Sequence, residues 1–229
     1  MVAGYTAAQV RAAEAPHLER GVPLMRMAAS ALADAVREVL AGRDEPADAS
    51  VLVLAGTGDN GGDALFAAAE LAANGVRVDV VPTGARLHEH GRAAAAAAGV
   101  RIWELVSPEH VARAASDASV LVDGILGTGT SAAPALRGAA REIVAAILPI
   151  LDHERRPSVV AVDLPSGIHP DDGSVPDPTV LRADLTVTFG AAKAGLLLEP
   201  GADYAGELRV IDLGLGPELS RVDPVVERS

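Results

Sequence analysis

Several residue types are absent or scarce in this chain of 229 residues. There is no cysteine, so disulfides, thiolate metal ligands and cysteine nucleophiles are excluded. Aromatic residues make up only 2% of the chain while 49% of its residues are hydrophobic, so aliphatic side chains must form the core. Lys and Arg number 19 against 31 Asp and Glu, a formal net charge of −12. Because this charge repels a phosphate backbone, we expect no binding to nucleic acid.

Long apolar segments and leader patterns are also missing. The longest apolar runs, such as 143–151, are shorter than the roughly 20 residues that a membrane-spanning helix needs. Residues 1–5 do not begin the basic-then-apolar pattern of a signal peptide. We therefore expect a cytoplasmic protein that has no contact with a membrane.

The periodicity of the apolar residues changes near residue 50. Residues 6–40 have helical spacing, and Thr6 with Gln9 forms a capping-box pattern. Between residues 50 and 214, short apolar runs alternate with helical segments, which predicts a doubly wound sheet with parallel crossovers. The predicted strands are 51–55, 76–81, 119–122, 159–162, 185–189 and 208–211, and the predicted helices are 63–74, 89–98, 108–116 and 135–151. We expect one domain over 1–229, with N-terminal helices at 6–40, a sheet core at 50–214 and a polar tail at 217–229.

Three predicted strands end in polar loops that contain glycine: residues 56–63, 123–131 and 163–167. In open α/β sheets, ligands bind outside the carboxyl ends of the strands. These loops are therefore the candidate site.

The first loop contains a dinucleotide fingerprint, with glycines at the first, third and sixth positions of 56–61, which is typical of NAD(P) oxidoreductases. Asp79, the candidate ribose ligand, falls inside the next strand, and Asp59 and Asp63 would repel a pyrophosphate. We therefore expect this loop to bind a sugar, an amide, an amine or a cation. The simpler alternative is that Asp63 caps the following helix and that Asp59 and Asn60 form a turn.

The second loop begins with Asp123, directly after an apolar strand. A carboxylate in that position is partly desolvated, which raises its pKa and suits it to proton transfer. The alternative is an aspartate that only caps a turn. Gly127 and Gly129 allow backbone amides to approach a ligand, so residues 127–131 are the better candidate for binding phosphates.

The third loop offers Asp163 and Ser166. A hydrolytic triad with His169 is disfavoured, because three residues on one loop rarely adopt that geometry and the serine-elbow motif is absent. Asp163 is better suited to accept hydrogen bonds from a ribose or an amide. Ser166, Asn60 and Asp123 together offer oxygen ligands of low charge, which suit a weakly held monovalent cation.

Lys193 follows the predicted strand at 185–189. A lysine at a strand's end could neutralise a phosphate or orient a carboxylate. The alternative is an ordinary surface lysine.

Four segments resemble, in the same order and spacing, those of the NAD(P)H-hydrate epimerases, also called the YjeF N-terminal domain. They are GDNGGD at 58–63, DGILGTG at 123–129, DLPSG at 163–167 and TVTFGAAKAG at 186–195. The resemblance extends over about residues 5–214.

The resemblance implies a Rossmann-like three-layer α/β/α sandwich with a mostly parallel sheet and N-terminal helices. It implies interconversion of the R and S forms of hydrated NADH and NADPH, which is a repair reaction. It places the substrate on Asp59, Asn60, Gly61, Gly62, Asp63, Gly127, Thr128, Gly129, Thr130, Ser131 and Asp163. It places a potassium ion on Asn60, Asp123 and Ser166.

Asp123 is also our candidate for the group that transfers protons, with Lys193 as a helper. Binding an ion and transferring a proton are competing roles for Asp123, and the sequence leaves both open. The resemblance further implies a homodimer through residues 6–40 and, on the same or another chain, an ADP- or ATP-dependent hydrate dehydratase.

This chain departs from the family pattern at four positions. Asp59 replaces an asparagine, Ala64 replaces a glycine, Leu126 replaces a phenylalanine, and Arg26 stands where glutamate is usual. These changes concern substrate affinity more than the fold.

Two other functions remain as alternatives. A non-catalytic nucleotide-binding or protein-interaction module could use the same fold, although Asn60, Asp123 and Asp163 are all present. An NAD(P) oxidoreductase would need an acidic residue at the end of the second strand, where residues 82–84 are Pro-Thr-Gly.

Overall fold

The structure is a computed structural model that describes residues 2–43, 49–104, 107–130 and 133–228. In these ranges the strands are β1 Val2–Tyr5, β2 Ser50–Ala55, β3 Arg77–Pro82, β4 Arg101–Ile102, β5 Val120–Gly124, β6 Ser158–Val162, β7 Leu185–Phe189, β8 Ala192–Lys193, β9 Glu207–Ile211 and β10 Val226–Arg228. The α-helices are α1 Ala7–Glu19, α2 Leu24–Ala41, α3 Asp59–Ala73, α4 Glu89–Ala97, α5 Pro108–Asp117, α6 Gly138–Ile147, α7 Ala202–Ala205 and α8 Gly216–Leu219.

Seven strands form one parallel sheet in the order β4-β3-β2-β5-β6-β7-β9. The sheet has helices on both faces, because successive side chains of a strand point in opposite directions. In β2, Val51 and Val53 belong to the core cluster that includes α2 and α3, whereas Leu52 and Leu54 belong to the cluster that includes α5 and α6. The doubly wound three-layer fold predicted from the sequence is confirmed.

Two helices differ from the sequence prediction at their boundaries. Helix α3 begins at Asp59 rather than at residue 63, after an extended Gly58. The early start requires glycine at position 61, where a Cβ would lie 2.2 Å from the Gly56 carbonyl oxygen. Helix α6 spans Gly138–Ile147 rather than 135–151, and a short 3-10 helix follows at Leu148–Asp152, where Pro149 has no amide hydrogen to continue the α-helical bonding.

A second, three-stranded sheet in the order β10-β1-β8 holds the N-terminal segment in place. β1 pairs antiparallel with β10 and parallel with β8, which sets Tyr5 beside Lys193. The segment 217–229, predicted as a polar tail, therefore contributes a strand and part of α8 to the fold over its described residues. The expected capping box at Thr6 is present, and it starts α1 directly after β1. The small sheet thus fixes α1 next to the end of β7 and the segment that carries Lys193.

No helix in the part of the chain that the structure describes has both the length and the apolar character to cross a membrane.

Candidate active site

A cavity of about 470 Å³ opens at the carboxyl edge of the large sheet. The strand order reverses between β2 and β5, and ligands of doubly wound sheets bind at such a point. Among the described residues, six that were predicted from the sequence line this cavity: Asp59, Asn60, Asp63, Thr128, Asp163 and Lys193. The fold therefore brings together parts of all three loops and the lysine that follows β7.

Lys193 and Asp163 form a buried ion pair in the cavity wall. The ammonium group of Lys193 donates to Asp163 Oδ1, to Thr188 Oγ1 at 3.2 Å and to the Phe189 carbonyl oxygen at 2.9 Å. Asp163 Oδ1 also accepts from Thr188 Oγ1 at 3.0 Å and from the Phe189 amide at 3.2 Å. The backbone of Asp163 has φ +68°, a left-handed conformation that aspartate tolerates better than most residues. The alternative that Lys193 is an ordinary surface lysine is wrong.

Asp123 is completely buried and does not line the cavity. Its Oδ2 accepts from the Ser166 amide at 2.8 Å, and its Oδ1 accepts from Ser166 Oγ at 2.6 Å and from the Ile125 amide at 3.3 Å. Burial raises the pKa of Asp123, and the hydrogen bonds from Ser166 and Ile125 partly oppose that rise. The predicted desolvation is confirmed, and the turn-capping contact with Ile125 is present as well.

Asn60 completes a cluster with Asp123 and Ser166. Its side-chain amide donates to the carbonyl oxygens of Val162 and of Leu126, the latter at 3.2 Å. Ser166 Oγ lies 3.4 Å from the same Leu126 oxygen and accepts from the Leu126 amide at 2.8 Å. The three residues predicted to hold a cation therefore converge on one group of oxygens.

The donor set of this cluster fits a monovalent cation better than a transition metal. It offers hydroxyl, carboxylate and backbone oxygens, of which only the carboxylate is charged, and hard cations prefer such oxygens, while Asn60 faces two of the backbone oxygens with its NH₂ group. Among the described residues, no group of three His, Asp or Glu side chains is arranged to hold a metal ion.

Asp63 lies inside helix α3 and faces the cavity. The alternative that it caps this helix is wrong, because Gly58 is the N-cap residue. Burial raises the pKa of Asp63 well above its usual value, and repulsion by Asp163, Asp59 and Glu14 adds to the effect while Lys193 opposes it.

The two glycines that precede Asp63 pack against protein rather than lining the cavity. A Cβ on Gly61 would meet the Gly56 backbone, and one on Gly62 would lie 3.2 Å from the Met25 side chain. Their predicted contact with substrate stays a prediction.

The predicted phosphate-binding segment is described only in part. Gly127 lies so close to Asn60 that a Cβ there would be 2.2 Å from the Asn60 side-chain oxygen. Residues Thr128–Thr130 form a short 3-10 helix whose first residue lines the cavity. The predicted contacts of Ser131 and of the Thr130 side chain lie outside the described residues.

Helix α1 supplies a wall of the cavity that the sequence did not predict. Val10, Arg11, Glu14 and Leu18 line it, at the three- and four-residue spacing of one helix face. Arg11 donates to the Thr128 carbonyl oxygen at 3.3 Å. Burial raises the pKa of Glu14, with repulsion by Asp163 and Asp59 adding to it and attraction by Lys193 opposing it. The spacing alone could have suggested this face, but nothing in the sequence shows where the helix docks.

Comparisons with known proteins identify the family of this chain. The family model described as YjeF-related protein N-terminus matches residues 21–195. An NAD(P)H-hydrate epimerase of Clavibacter michiganensis subsp. michiganensis is 52% identical over 225 residues, which are 97% of this chain and 94% of that protein. A bifunctional NAD(P)H-hydrate repair enzyme of Pyrobaculum aerophilum is 40% identical over 88% of this chain, which corresponds to 40% of its own length.

The fold is also found among solved structures. The crystal structure of the yeast protein ynu0 aligns with a TM-score of 0.76 and covers 100% of this chain and 97% of its own. At 19% identity this likeness concerns the fold alone. The match of the family model and the identity of the relatives together establish that the chain belongs to the family of YjeF-related N-terminal domains.

Proposed function

We propose that this protein interconverts the two epimers of hydrated NADH and hydrated NADPH, and that it is therefore an isomerase. The observation that carries the proposal is its 52% identity, over 97% of the chain, to a protein named NAD(P)H-hydrate epimerase. The cavity supports it, because carboxyl groups and a lysine surround a space at the ligand-binding edge of the sheet.

The chemistry requires proton transfer rather than oxidation. Water that adds to a dihydronicotinamide ring leaves a hydroxyl group on a carbon bonded to the ring nitrogen. Inverting that carbon requires one of its bonds to break and to form again on the other face. A proton donor and a proton acceptor beside the hydroxyl group accelerate such a step, typically by about 10²–10⁴-fold.

The residues of the cavity can be assigned to different parts of this task. Asp163 and Lys193 line the cavity and can hold the polar groups of the nicotinamide half. Asp123 has no exposed surface, which favours the role of ion ligand over that of a group touching substrate. Its role in proton transfer stays a prediction.

The phosphates of the substrate are best placed at the segment that begins at Gly127. Arg11 supports this placement, because its guanidinium group lies at Thr128 in the cavity wall. The other cation of the wall, Lys193, is already paired with Asp163. Arg11 can therefore offer its charge to a phosphate.

We include a potassium ion in the proposal, held by Asn60, Asp123 and Ser166. When bound, it would supply a fixed positive charge that ties together the loops after β2, β5 and β6. We expect the protein to unfold at a higher temperature in potassium chloride than in lithium chloride of equal concentration. Asp123→Asn should lose most of that difference. Equal unfolding temperatures for the unaltered protein in the two salts would argue against the site.

The apolar exposure of the N-terminal helices supports a homodimer through 6–40. Leu18 of α1 is 57% exposed and Met27 of α2 is 39% exposed. Light scattering should show twice the mass of one chain, and Met27→Glu should shift it toward one chain. A monomer at all concentrations would exclude this pairing.

We also propose that the protein works beside a hydrate dehydratase that uses ADP or ATP. The Pyrobaculum relative supports this, because its name describes a bifunctional repair enzyme and this chain corresponds to 40% of its length. The cytoplasm is the compartment that we propose, since NADH and NADPH are used there.

The function is tested by following both hydrate epimers by chromatography. One purified epimer should approach the equilibrium mixture faster with the protein than in a buffer blank. Binding of the hydrate without acceleration would instead indicate a non-catalytic binding module. Oxidation of NADH with a second substrate would indicate an oxidoreductase.

A further inference from the structure

Asp63 differs from every other buried side chain in the described part of the protein. Its side chain lies in the cavity wall with 7% of the residue exposed. Its Oδ1 is the one buried side-chain nitrogen or oxygen of the described residues that has no hydrogen-bond partner. Buried polar atoms are nearly always paired, so an unpaired oxygen on a residue that lines a cavity indicates a group kept for a ligand.

The position of Asp63 follows from the packing of helix α3. Residues Asn60–Ala64 are all buried, because this end of the helix packs under the loops that follow β2 and β5. The helix does not use the Asp63 carboxyl group as a cap, since Gly58 is the N-cap residue. Among the described residues, no hydrogen-bond partner therefore gives the unpaired carboxyl oxygen a structural role.

The charged groups around Asp63 come from four separate elements. Asp59 lies on the same helix, Glu14 on α1, Asp163 after β6 and Lys193 on β8. Three of these groups are carboxylates, and Lys193 donates to Asp163, Thr188 and Phe189. Lys193 is therefore already engaged and only partly offsets the negative surroundings.

Burial and these carboxylates raise the pKa of Asp63 well above its usual value. The neutral carboxyl group, which carries a proton, thus persists to a higher pH than in an ordinary aspartate. A neutral carboxyl group can donate a hydrogen bond and a proton, whereas a carboxylate can only accept.

We propose that Asp63 is the general acid and base of the epimerisation and acts on the hydroxyl group of the hydrate. This inference rests on the proposed function. Asp63 gives its proton to the hydroxyl oxygen as the carbon–oxygen bond breaks, and the oxygen leaves with the bonding electrons as water. The electron pair of the ring nitrogen forms a carbon–nitrogen double bond. The flat ring turns over about its bond to the ribose, water adds from the Asp63 side, and its proton returns to the Asp63 carboxylate.

The Asp63 carboxyl group, on one side of the ring, then transfers the proton in both directions of the reaction. The two epimers place their hydroxyl groups toward Asp63 in the two orientations of the ring, so that proton transfer is the same for each. The reaction needs no oxidant, and atoms and charge balance over the cycle.

The test compares Asp63→Asn with the unaltered protein. Asparagine keeps the shape of the side chain and can donate a hydrogen bond, but it cannot give up a proton. We expect kcat to fall by about 100-fold or more, with KM within a few-fold of its original value. Glu70→Gln is the matched control, since Glu70 lies on the same helix outside the cavity and pairs with Arg26 at 4.0 Å. It should keep the original kcat.

Two further measurements separate catalysis from a structural role. The rate with the unaltered protein should fall as pH rises through the pKa of Asp63, and this fall should be missing in Asp63→Asn. Carbon-13 NMR of the side-chain carboxyl groups should show Asp63 titrating above its usual range, whether or not the variant folds. Unchanged kcat in Asp63→Asn, a rise in KM alone, or an ordinary pKa for Asp63 would each overturn the proposal. An unaltered protein that accelerates no epimerisation would instead refute the proposed function.

Discussion

Asp63 and Asp123 are two aspartates at the same edge of one sheet, and burial raises the pKa of both. Asp123 accepts three hydrogen bonds and is sealed from the cavity. Asp63 lines the cavity, and one of its oxygens has no hydrogen-bond partner in the described part of the chain. Burial alone therefore does not distinguish a structural or ion-binding carboxylate from one kept for substrate. The hydrogen-bond donors around each group make the distinction.

Asp163 is a third buried carboxylate, and its charge is balanced by Lys193. Replacing Lys193 would leave the Asp163 carboxylate buried without its cation, so that it can be compared with Asp63 and Asp123. We expect Lys193→Met to lower the free energy of unfolding by about 3–5 kcal/mol, because a buried charge is left unpaired. Urea unfolding measures the loss. Adding Asp163→Asn should restore much of it, since asparagine also tolerates a positive φ; a loss below about 1 kcal/mol in the single variant would contradict the buried pair.

Changing aspartate to asparagine should alter the free energy of unfolding in opposite directions at Asp123 and at Asp63. In Asp123→Asn, an amide NH₂ can face the Ser166 amide or hydroxyl, and we expect a loss of about 1–3 kcal/mol in unfolding free energy. In Asp63→Asn, no hydrogen bond to Oδ1 from the described residues is lost, and the cost of burying or protonating the carboxylate is removed, so we expect equal or greater stability. Urea unfolding of both variants at neutral pH measures whether each change lowers or raises the free energy of unfolding. Equal losses of unfolding free energy in the two variants would contradict the proposed difference between Asp123 and Asp63.

A smaller difference should appear when stability is followed against pH. The pKa of Asp63 is higher in the folded protein than in the unfolded chain, so its protonated form stabilises the fold. This contribution is fully present below the unfolded pKa and is lost as pH rises through the folded pKa. The stability of Asp63→Asn relative to the unaltered protein should therefore increase over that range and then level off. Melting temperatures in matched buffers would show it, and a constant difference would contradict the raised pKa.

The smallest expected effect concerns Arg11 at the mouth of the same cavity. Because the guanidinium group is exposed and screened by salt, we expect Arg11→Ala to raise KM by about 2–5-fold while kcat stays the same. Arg20→Ala is the control, because Arg20 is the C-cap of α1 and lies outside the cavity wall. Hydrated NADH lacks the 2′-phosphate of hydrated NADPH. A rise in KM for both substrates would therefore indicate that Arg11 contacts the pyrophosphate, and a rise for hydrated NADPH alone would indicate the 2′-phosphate. An unchanged KM for both substrates would exclude Arg11 from phosphate binding.

Much of the central sheet could be predicted because its signal is local. The continuous apolar run at 51–55 indicates a strand covered on both faces, and the structure has a strand there. The polar loops that follow them meet at one edge, because all strands of that sheet are parallel. That rule placed the loops that carry Asn60, Asp123 and Ser166 near one another.

The edges of the fold were less predictable because their pairing is not local. β1 and β10 are four and three residues long and lie at opposite ends of the chain. Neither has a periodic pattern long enough to indicate a strand, and each is stabilised mainly by its partner. The start of α3 was also missed, since its first turn is polar and glycine-rich and forms by packing against the Gly56 backbone.

The sequence by itself determined the doubly wound sheet, the loops that carry the site and the family to which the chain belongs. Only the tertiary structure decided which carboxylates face substrate. Asp123 lies at the end of β5 and Asp63 in the helix that follows β2, both in segments that contain glycine, and the local sequence does not show which of them faces substrate. Their difference depends on donors from distant parts of the chain: Ser166 donates to Asp123, whereas none of the described residues donates to Asp63 Oδ1. Hydrogen bonding acts over about 3 Å, so it is decided only when the chain is folded.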